Sequence, residues 1–220
     1  MKPIFIRNEE KELKYFIFGS NVKVEEADDS GNSEKTEGVA ESEEPKESEE
    51  PKEFEDMDDS YRFEDIKVIS EKAFYNPWNL RRVYFDDNLE KIKKEAFEDC
   101  SELEVFCCGE VCNNNDDKDS TIKGLKFNQK VNSFVIETKA FSGCTQLHTV
   151  VLPKCKKLII EKDAFKDCKE LRTFVCFCNK ISFTENPFAD CLESLVFVGK
   201  KNSDLKRFAR ENGYRYVDGK

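Results

Sequence analysis

The sequence contains a single histidine, His148, and this scarcity limits the catalytic chemistry that the chain could perform. Ser-His, Cys-His and metal-His sites each have at most one member available, and any other general base would need a carboxylate with a raised pKa. No nucleophile, base and orienting group can be assembled from the residue types present. The sequence therefore predicts a protein that is not an enzyme and that uses no cofactor.

Long apolar runs are also missing. No stretch of 18 or more apolar residues occurs, so no segment is predicted to span a membrane. The N-terminus turns charged after the three apolar residues 4–6, which is too short an apolar core for a secretory signal. We therefore expect a cytoplasmic protein.

The net charge of the chain is −10, but the acidity is confined to one segment. Residues 25–65 hold 19 Asp or Glu and 4 Lys or Arg, a net charge of −15, which leaves about +5 for the rest of the chain. Within it the hexapeptide at residues 42–47 repeats at 48–53, with no apolar residue to bury. We interpret residues 25–60 as a disordered acidic linker whose partner would be basic and which would repel nucleic acid.

The motif Ala-Phe-x-x-Cys recurs along the chain at nearly constant spacing. Its alanine slot falls at residues 73, 96, 140, 164 and 187, where the last copy carries proline, so the intervals are 23, 44, 24 and 23 residues. A period in the low twenties is typical of a solenoid, in which each unit buries its apolar side against its neighbours. Because 44 is close to two periods, we expect a degenerate copy inside the long interval, with strand residues Ile122, Leu125 and Phe127.

Each unit reads Ile-x-x-x-Ala-Phe-x-x-Cys-x-x-Leu-x-x-Val-x-Leu, and its end alternates with period two, as a strand does. The Ala-Phe-x-x-Cys part is one helical or 3₁₀ turn. The predicted fold is an α/β solenoid of about six parallel strands, curved, with short helical turns on the other side. Residues 1–24 are predicted as an N-terminal β segment, 61–200 as the repeat array and 201–220 as a cap, with a helix from Ser203 to Asn212.

These residues resemble the leucine-rich repeats of the BspA-like family, whose units carry the same Ala-Phe-x-x-Cys-x-x-Leu signature. The tail, with Phe208-Ala209 and Asn212-Gly213-Tyr214, resembles the end of such arrays. The resemblance covers residue 61 to the C-terminus and implies adhesion or protein binding, often at cell surfaces. It offers no catalytic residues to carry over. Surface display is thus an expectation from the family alone.

Ten cysteines are present, and four of them share one slot of the repeat: Cys100, Cys144, Cys168 and Cys191. We expect these to be a ladder of buried, reduced thiols, because a buried free cysteine behaves as a small hydrophobe. Cys107 and Cys112 fall outside the core slots and are predicted to be the reactive ones.

Two metal sites were weighed against plainer interpretations. Zinc at Cys107, Cys108 and Cys112, or at Cys155, Cys176 and Cys178, is disfavoured because there is no second Cys-x₂₋₄-Cys knuckle and only one histidine. Calcium in the loop 113–119 is disfavoured because the loop lacks the glycine and terminal glutamate of an EF-hand. The sequence predicts free thiols and a solvated loop.

Five strand residues between core positions should point out of the sheet, and four of them are apolar or aromatic: Tyr84, Cys107, Lys126, Val151 and Val175. Such a stripe marks an interaction surface, or else an edge, a neighbouring loop or the N-terminal hairpin covers it. The sequence leaves both interpretations open.

Two functions follow from these observations. The first is a protein-interaction scaffold that binds another protein through the strand-lined face. The alternative is a chaperone-like or decoy-like binder of basic proteins through residues 25–65, whose attraction would fade as salt rises.

Overall fold

A computed structural model describes residues 4–7, 11–17, 60–74, 80–109, 127 and 131–219. Within these ranges the chain forms 14 strands and one helix. In chain order they are β1 (Ile4–Arg7), β2 (Glu12–Ile17), β3 (Ser60–Phe63), β4 (Val68–Ile69), β5 (Arg82–Phe85), β6 (Lys91–Ile92), β7 (Val105–Cys108), β8 (Val131–Ile136), β9 (Thr149–Val151), β10 (Cys155–Ile160), β11 (Thr173–Cys176), β12 (Lys180–Phe183), β13 (Val196–Gly199), α1 (Asp204–Glu211) and β14 (Arg215–Asp218).

The strands build two sheets of seven strands each. One sheet, here called sheet A, has the order β1-β2-β4-β6-β8-β10-β12, and the other, sheet B, has the order β14-β13-β11-β9-β7-β5-β3. Every pairing is parallel except that of β1 with β2. Each coil therefore contains one strand of sheet A and one strand of sheet B. Six such coils stack before α1 and β14. The predicted parallel solenoid is confirmed, and the structure adds a second sheet where the sequence indicated only turns.

The connection from sheet A to sheet B has a constant length. It holds 12 residues in each of the five coils that start at β4, β6, β8, β10 and β12. The return connection from sheet B to sheet A holds 3 residues after β9 and after β11, but 22 after β7. The 44-residue interval is therefore one coil with a long return connection.

The expected degenerate copy between Ala96 and Ala140 is wrong. Strand β6 pairs directly with β8, and the amide of Phe97 donates to the carbonyl of Ala140 at 2.8 Å. No room for another coil exists between them. Of the residues assigned to that copy, Ile122 and Leu125 lie outside the described residues.

The N-terminal strand β2 is the sheet A strand of the first coil. The amide of Ser70 donates to the carbonyl of Leu13 at 2.8 Å, and the carboxylate of Glu12 accepts from Ser70 Oγ and Lys93 Nζ, both at 2.6 Å. Since β3 begins sheet B of the same coil, the acidic stretch joins two strands of one coil. The predicted disorder of residues 25–60 falls almost wholly outside the described residues.

The turns between the sheets stack as regularly as the strands do. Phe74, Phe97, Phe141, Phe165 and Phe188 lie one above the other, with neighbouring ring centroids 4.2–5.2 Å apart. The cysteine that follows each turn donates its thiol to the phenylalanine carbonyl of the coil before it, as in Cys144 Sγ to Phe97 O at 3.0 Å. The predicted burial of Phe97, Phe141 and Phe165 is confirmed, since all three are fully buried.

The residue before that cysteine has a left-handed backbone in four turns. Asp99, Gly143, Asp167 and Asp190 have φ of 58°, 76°, 60° and 61°. Asp and Gly are among the residues that tolerate this region, because a bulkier Cβ crowds the next carbonyl. The Asp-or-Gly slot of the motif is thus a backbone requirement.

Gly143→Val is expected to lower the free energy of unfolding by more than the ~1–2 kcal/mol that a left-handed backbone alone costs. A Cβ at Gly143 would overlap the carboxylate of Asp99 and lie 3.3 Å from its Cγ and 3.4 Å from its Cα, so rotation of that side chain relieves only part of the crowding. Gly213→Val is the matched control, because Gly213 has the same φ of 76° and no atom within 4 Å of its Cβ position. Urea melts of both variants measure the difference, and equal losses would contradict the crowding at Asp99.

Helix α1 closes the C-terminal end of the stack and confirms the predicted cap. Ser203 is its N-cap, with Oγ accepting from the amide of Lys206, and Gly213 follows the C-cap with φ of 76°. Leu205 and Ala209 are fully buried. Asp204 accepts a hydrogen bond from the amide of Ile181 at 3.0 Å, so the helix satisfies part of the edge of sheet A.

Candidate interaction surface

The predicted outward residues form one continuous row across sheet B. Strand register aligns Arg62, Tyr84, Cys107, Val151, Val175, Val198 and Val217, one from each strand from β3 to β14. The repeat alignment therefore placed Tyr84, Cys107, Val151 and Val175 in equivalent positions correctly. Lys126, the fifth member, lies outside the described residues.

The middle of this row is closed to solvent. Cys107, Val151 and Val175 have no exposed surface, and Val105 in the adjoining row is 3 % exposed. These four residues form a second apolar cluster, outside the main core, against which Tyr84, Phe127, Phe177 and Val198 pack. Of the two alternatives that the sequence left open, the covered one holds at the three central residues.

Phe127 and Phe177 belong to the part of this cover that the structure describes. Their rings meet edge to face with centroids 6.0 Å apart, and both follow the strands in return connections from sheet B. Neither residue is recognisable from the sequence pattern as part of a cover, since Phe127 fits a strand position and Phe177 lies between two cysteines.

The row opens toward the C-terminal end. Val198 is half-buried, and Val217 on β14 is 47 % exposed. Val196 and Arg215 flank them in the adjoining row, half-buried and exposed. Strand β14 is also the edge of sheet B, so it presents one row of backbone groups beyond the last strand of that sheet.

The cysteine ladder agrees with the prediction, whereas the reactive pair does not. Cys100, Cys144 and Cys168 are free and buried, and Cys191 is free and half-buried. Cys107, expected to be reactive, is fully buried, and burial raises the pKa of its thiol to about 12. That expectation is wrong for Cys107, because the outer face of sheet B is covered there. Cys112 lies outside the described residues.

Cys155 and Cys178 form a disulfide, which the sequence analysis did not foresee. Their Cα atoms are 4.7 Å apart and both are fully buried. The bond joins neighbouring coils at the start of β10 and just before β12. The expectation of free thiols is wrong for this pair, which therefore also supplies no thiolate ligands for the zinc site that was weighed. The loop 113–119, weighed for calcium, lies outside the described residues.

Alkylation of the native protein at pH 8 is expected to be slow at Cys107, Cys176 and Cys191, because burial raises the pKa of each thiol to about 12 and only the thiolate reacts. The fold holds these thiols protonated where the unfolded chain, with a pKa of 9.0, ionises. The free energy of unfolding should therefore fall as pH rises from 9 toward 12. Mass spectrometry after an iodoacetamide pulse, with urea-unfolded protein as control, would contradict this if Cys107 reacted equally fast in both.

An open basic cleft lies at the C-terminal end of the stack. It has a volume of about 770 Å³ and is lined by Asn179, Lys180, Lys201, Asn202, Ser203, Asp204, Lys206, Arg207, Arg210, Tyr214 and Tyr216. Tyr216 Oη donates to the carbonyl of Lys200 at 2.7 Å and lies 3.0 Å from Ser203 Oγ. This hydrogen bonding fixes one wall of the cleft to the helix N-terminus.

His148 has no catalytic setting in the described structure. It is half-buried just before β9, with Nδ1 2.9 Å from the hydroxyl of its neighbour Thr149. In the part of the chain that the structure describes, no three His, Cys, Asp or Glu side chains come together as metal ligands would. The one helix among the described residues, α1, has 8 residues and is not long and apolar enough to cross a membrane.

A comparison with protein families points to the same repeat architecture. A family profile described as "BspA type Leucine rich repeat region (6 copies)" matches residues 67–194. Among solved structures, that of the pneumococcal vaccine antigen PcpA matches with a TM-score of 0.37 and 20 % identity, over 74 % of this chain and 42 % of that one. This chain thus spans less than half of that antigen. No curated protein gives a match.

Proposed function

We propose that this chain, which belongs to the BspA-type leucine-rich repeat family, is a non-catalytic scaffold that binds another protein through the strand-lined face of its solenoid. Repeat arrays of this kind present long, regular surfaces because each coil repeats the side-chain positions of its neighbour. The face in question is the outer side of sheet B.

The observation that carries the proposal is the apolar row on that face. The row has seven register-matched positions, from Arg62 to Val217. Besides Cys107, five of them hold apolar or aromatic residues, and only the central positions are closed to solvent. The open end at Val198 and Val217 continues the row, so Val217 is not an isolated surface valine. Apolar patches of this kind favour protein partners.

The test replaces the open end of the row. Val198→Glu with Val217→Glu is expected to lower partner recovery at least about tenfold, equivalent to 1.4 kcal/mol, because two carboxylates would be desolvated in the interface. The matched control is Val135→Glu with Ile159→Glu, which makes the same change at half-buried residues of sheet A. Cross-linking in native cells followed by quantitative mass spectrometry compares what each full-length variant retains.

Equal recovery of the same partners by both double variants would contradict binding through sheet B. Thermal melts of both must first show that each remains folded.

The acidic stretch supports a second candidate function, the binding of basic proteins through residues 25–65. Its net charge of −15 is the observation that favours it. Partner recovery that falls steeply between low and physiological ionic strength would support this function, since exposed charges are screened within about 8 Å at 0.15 M. Recovery through the apolar face should change little.

The cytoplasmic location stays a prediction. A disulfide such as Cys155–Cys178 is more typical of oxidising compartments than of the cytoplasm. Differential alkylation of this pair in intact cells separates the two: a reduced pair supports the cytoplasm, and an oxidised pair contradicts it.

A further inference from the structure

We propose that the basic cleft at the C-terminal end of the solenoid binds a glutamate-rich peptide segment, and that the segment it takes is residues 41–53 of this same chain. The site is separate from the outer face of sheet B and stands on different observations.

The cleft carries an excess of positive charge that is not neutralised from within. Its lining holds five cationic side chains and one carboxylate, that of Asp204. Asp204 pairs with Arg207 at 2.9 Å, and Lys206 pairs with Asp218 at 2.8 Å. Among the described residues, no carboxylate lies within ion-pair distance of the remaining cations, which are Lys180, Lys201 and Arg210, and all three are exposed.

The positive surface continues from the cleft onto sheet A. Lys157 is the register partner of Lys180 on the neighbouring strand, and both are exposed. The two lysines repel each other and extend the row of cations beyond the cleft. The arrangement therefore favours an extended anionic ligand over a single small anion.

The chain itself carries a ligand of this chemistry. Residues 41–53 contain seven glutamates and two lysines, a net charge of −5, in two copies of Ser-Glu-Glu-Pro-Lys-Glu. The repeated carboxylates match a row of separate cations. The acidic segment would also repel nucleic acid that competes for the cleft, because phosphates carry the same sign of charge.

The segment is long enough to reach the cleft. It joins β2 to β3 in the first coil, and the cleft lies five coils further on, about 24 Å at a strand spacing of ~4.8 Å. Residue 47 is 13 residues from Ser60, which spans up to ~43 Å when extended. A tether of this length gives an effective concentration in the millimolar range, so binding within one chain is favoured over binding between chains.

The experiment uses the full chain with six glutamates replaced by glutamine, at residues 43, 44, 47, 49, 50 and 53, and a fluorescein-labelled peptide of residues 41–53 as the probe. The neutralised chain leaves its cleft open, so it should bind the probe at least about tenfold more tightly than the wild type does at 50 mM salt. At 0.5 M salt the difference should vanish. Fluorescence anisotropy measures both affinities.

Charge reversal in the cleft locates the site. Adding Lys180→Glu, Lys201→Glu and Arg210→Glu to the neutralised chain should lower its affinity for the probe at least about tenfold. The control carries three charge reversals in one turn, Lys162→Glu, Lys166→Glu and Lys169→Glu. Its affinity for the probe should stay within about threefold of that of the neutralised chain.

Three results would overturn the proposal. Equal binding of the probe by the wild type and the neutralised chain would show that no internal segment occupies the cleft. Tighter binding of a dT12 oligonucleotide than of the probe, lost in the cleft variant, would assign the cleft to nucleic acid. Sedimentation showing a wild-type dimer that the cleft variant lacks would place the segment of one copy on another.

Discussion

Replacing Phe141 with alanine is expected to lower the free energy of unfolding by about 3–5 kcal/mol. Its ring stacks between Phe97 and Phe165, at centroid distances of 4.9 and 5.0 Å, and meets Phe106 edge to face at 5.0 Å. Removing it leaves a fully enclosed cavity in the middle of the stack, because hydrogen-bonded turns above and below hold the coils at a fixed spacing. Urea denaturation followed by circular dichroism measures the loss.

Phe183→Ala is the matched control, since it removes the same ring at a half-buried place. Phe183 stacks on Phe208 at the C-terminal end of the array, with centroids 4.0 Å apart and solvent on one side. Its loss should be less than half of that at Phe141. Equal losses in the two variants would mean that the phenylalanine ladder does not carry the core.

The second large effect concerns the disulfide between neighbouring coils. Cys155→Val with Cys178→Val should lower the free energy of unfolding by about 3 kcal/mol, as expected for a closed loop of this length. The sequence separation is 23 residues. Valine is the natural replacement, because Val131 holds the equivalent position in the coil before Cys155.

The unmodified protein provides its own control through reduction. Adding dithiothreitol to the wild type should reproduce the loss seen in the double variant, whereas the double variant should be insensitive to the reductant. A wild type whose unfolding midpoint does not respond to reductant, once mass spectrometry shows the bond to be open, would contradict a stabilising role.

The core could be predicted because the repeat slots report burial directly. Ala96, Phe97 and Cys100 recur in the same order in three full copies, and every one of those slots is enclosed. The helix from Asp204 was also predictable, since its cap and stop residues act locally. Local chemistry and exact periodicity were thus sufficient for the stack and its C-terminal end.

Features that depend on contacts between distant segments were missed. A two-residue strand such as β4 or β6 is too short to show alternation, so the second sheet left almost no pattern in the sequence. The closed state of Val151 depends on what packs on sheet B, and Phe177 gives no periodic signal. The 44-residue interval between Ala96 and Ala140 led to the wrong prediction of a degenerate copy. A long return connection and an additional degenerate repeat lengthen the spacing between two motif copies by similar amounts.

The two long stretches of sequence, one within the first coil and one between two later coils, interrupt no ladder of strands. Between β7 and β8, and between β2 and β3, the strands on either side still meet their neighbours in adjacent coils. Lengthening a connection costs only about 0.6 kcal/mol for each doubling. The return connection from sheet B to sheet A is therefore a place where new sequence, or an engineered reporter domain, can be added at little cost, while the stacked turns on the other side keep their constant length.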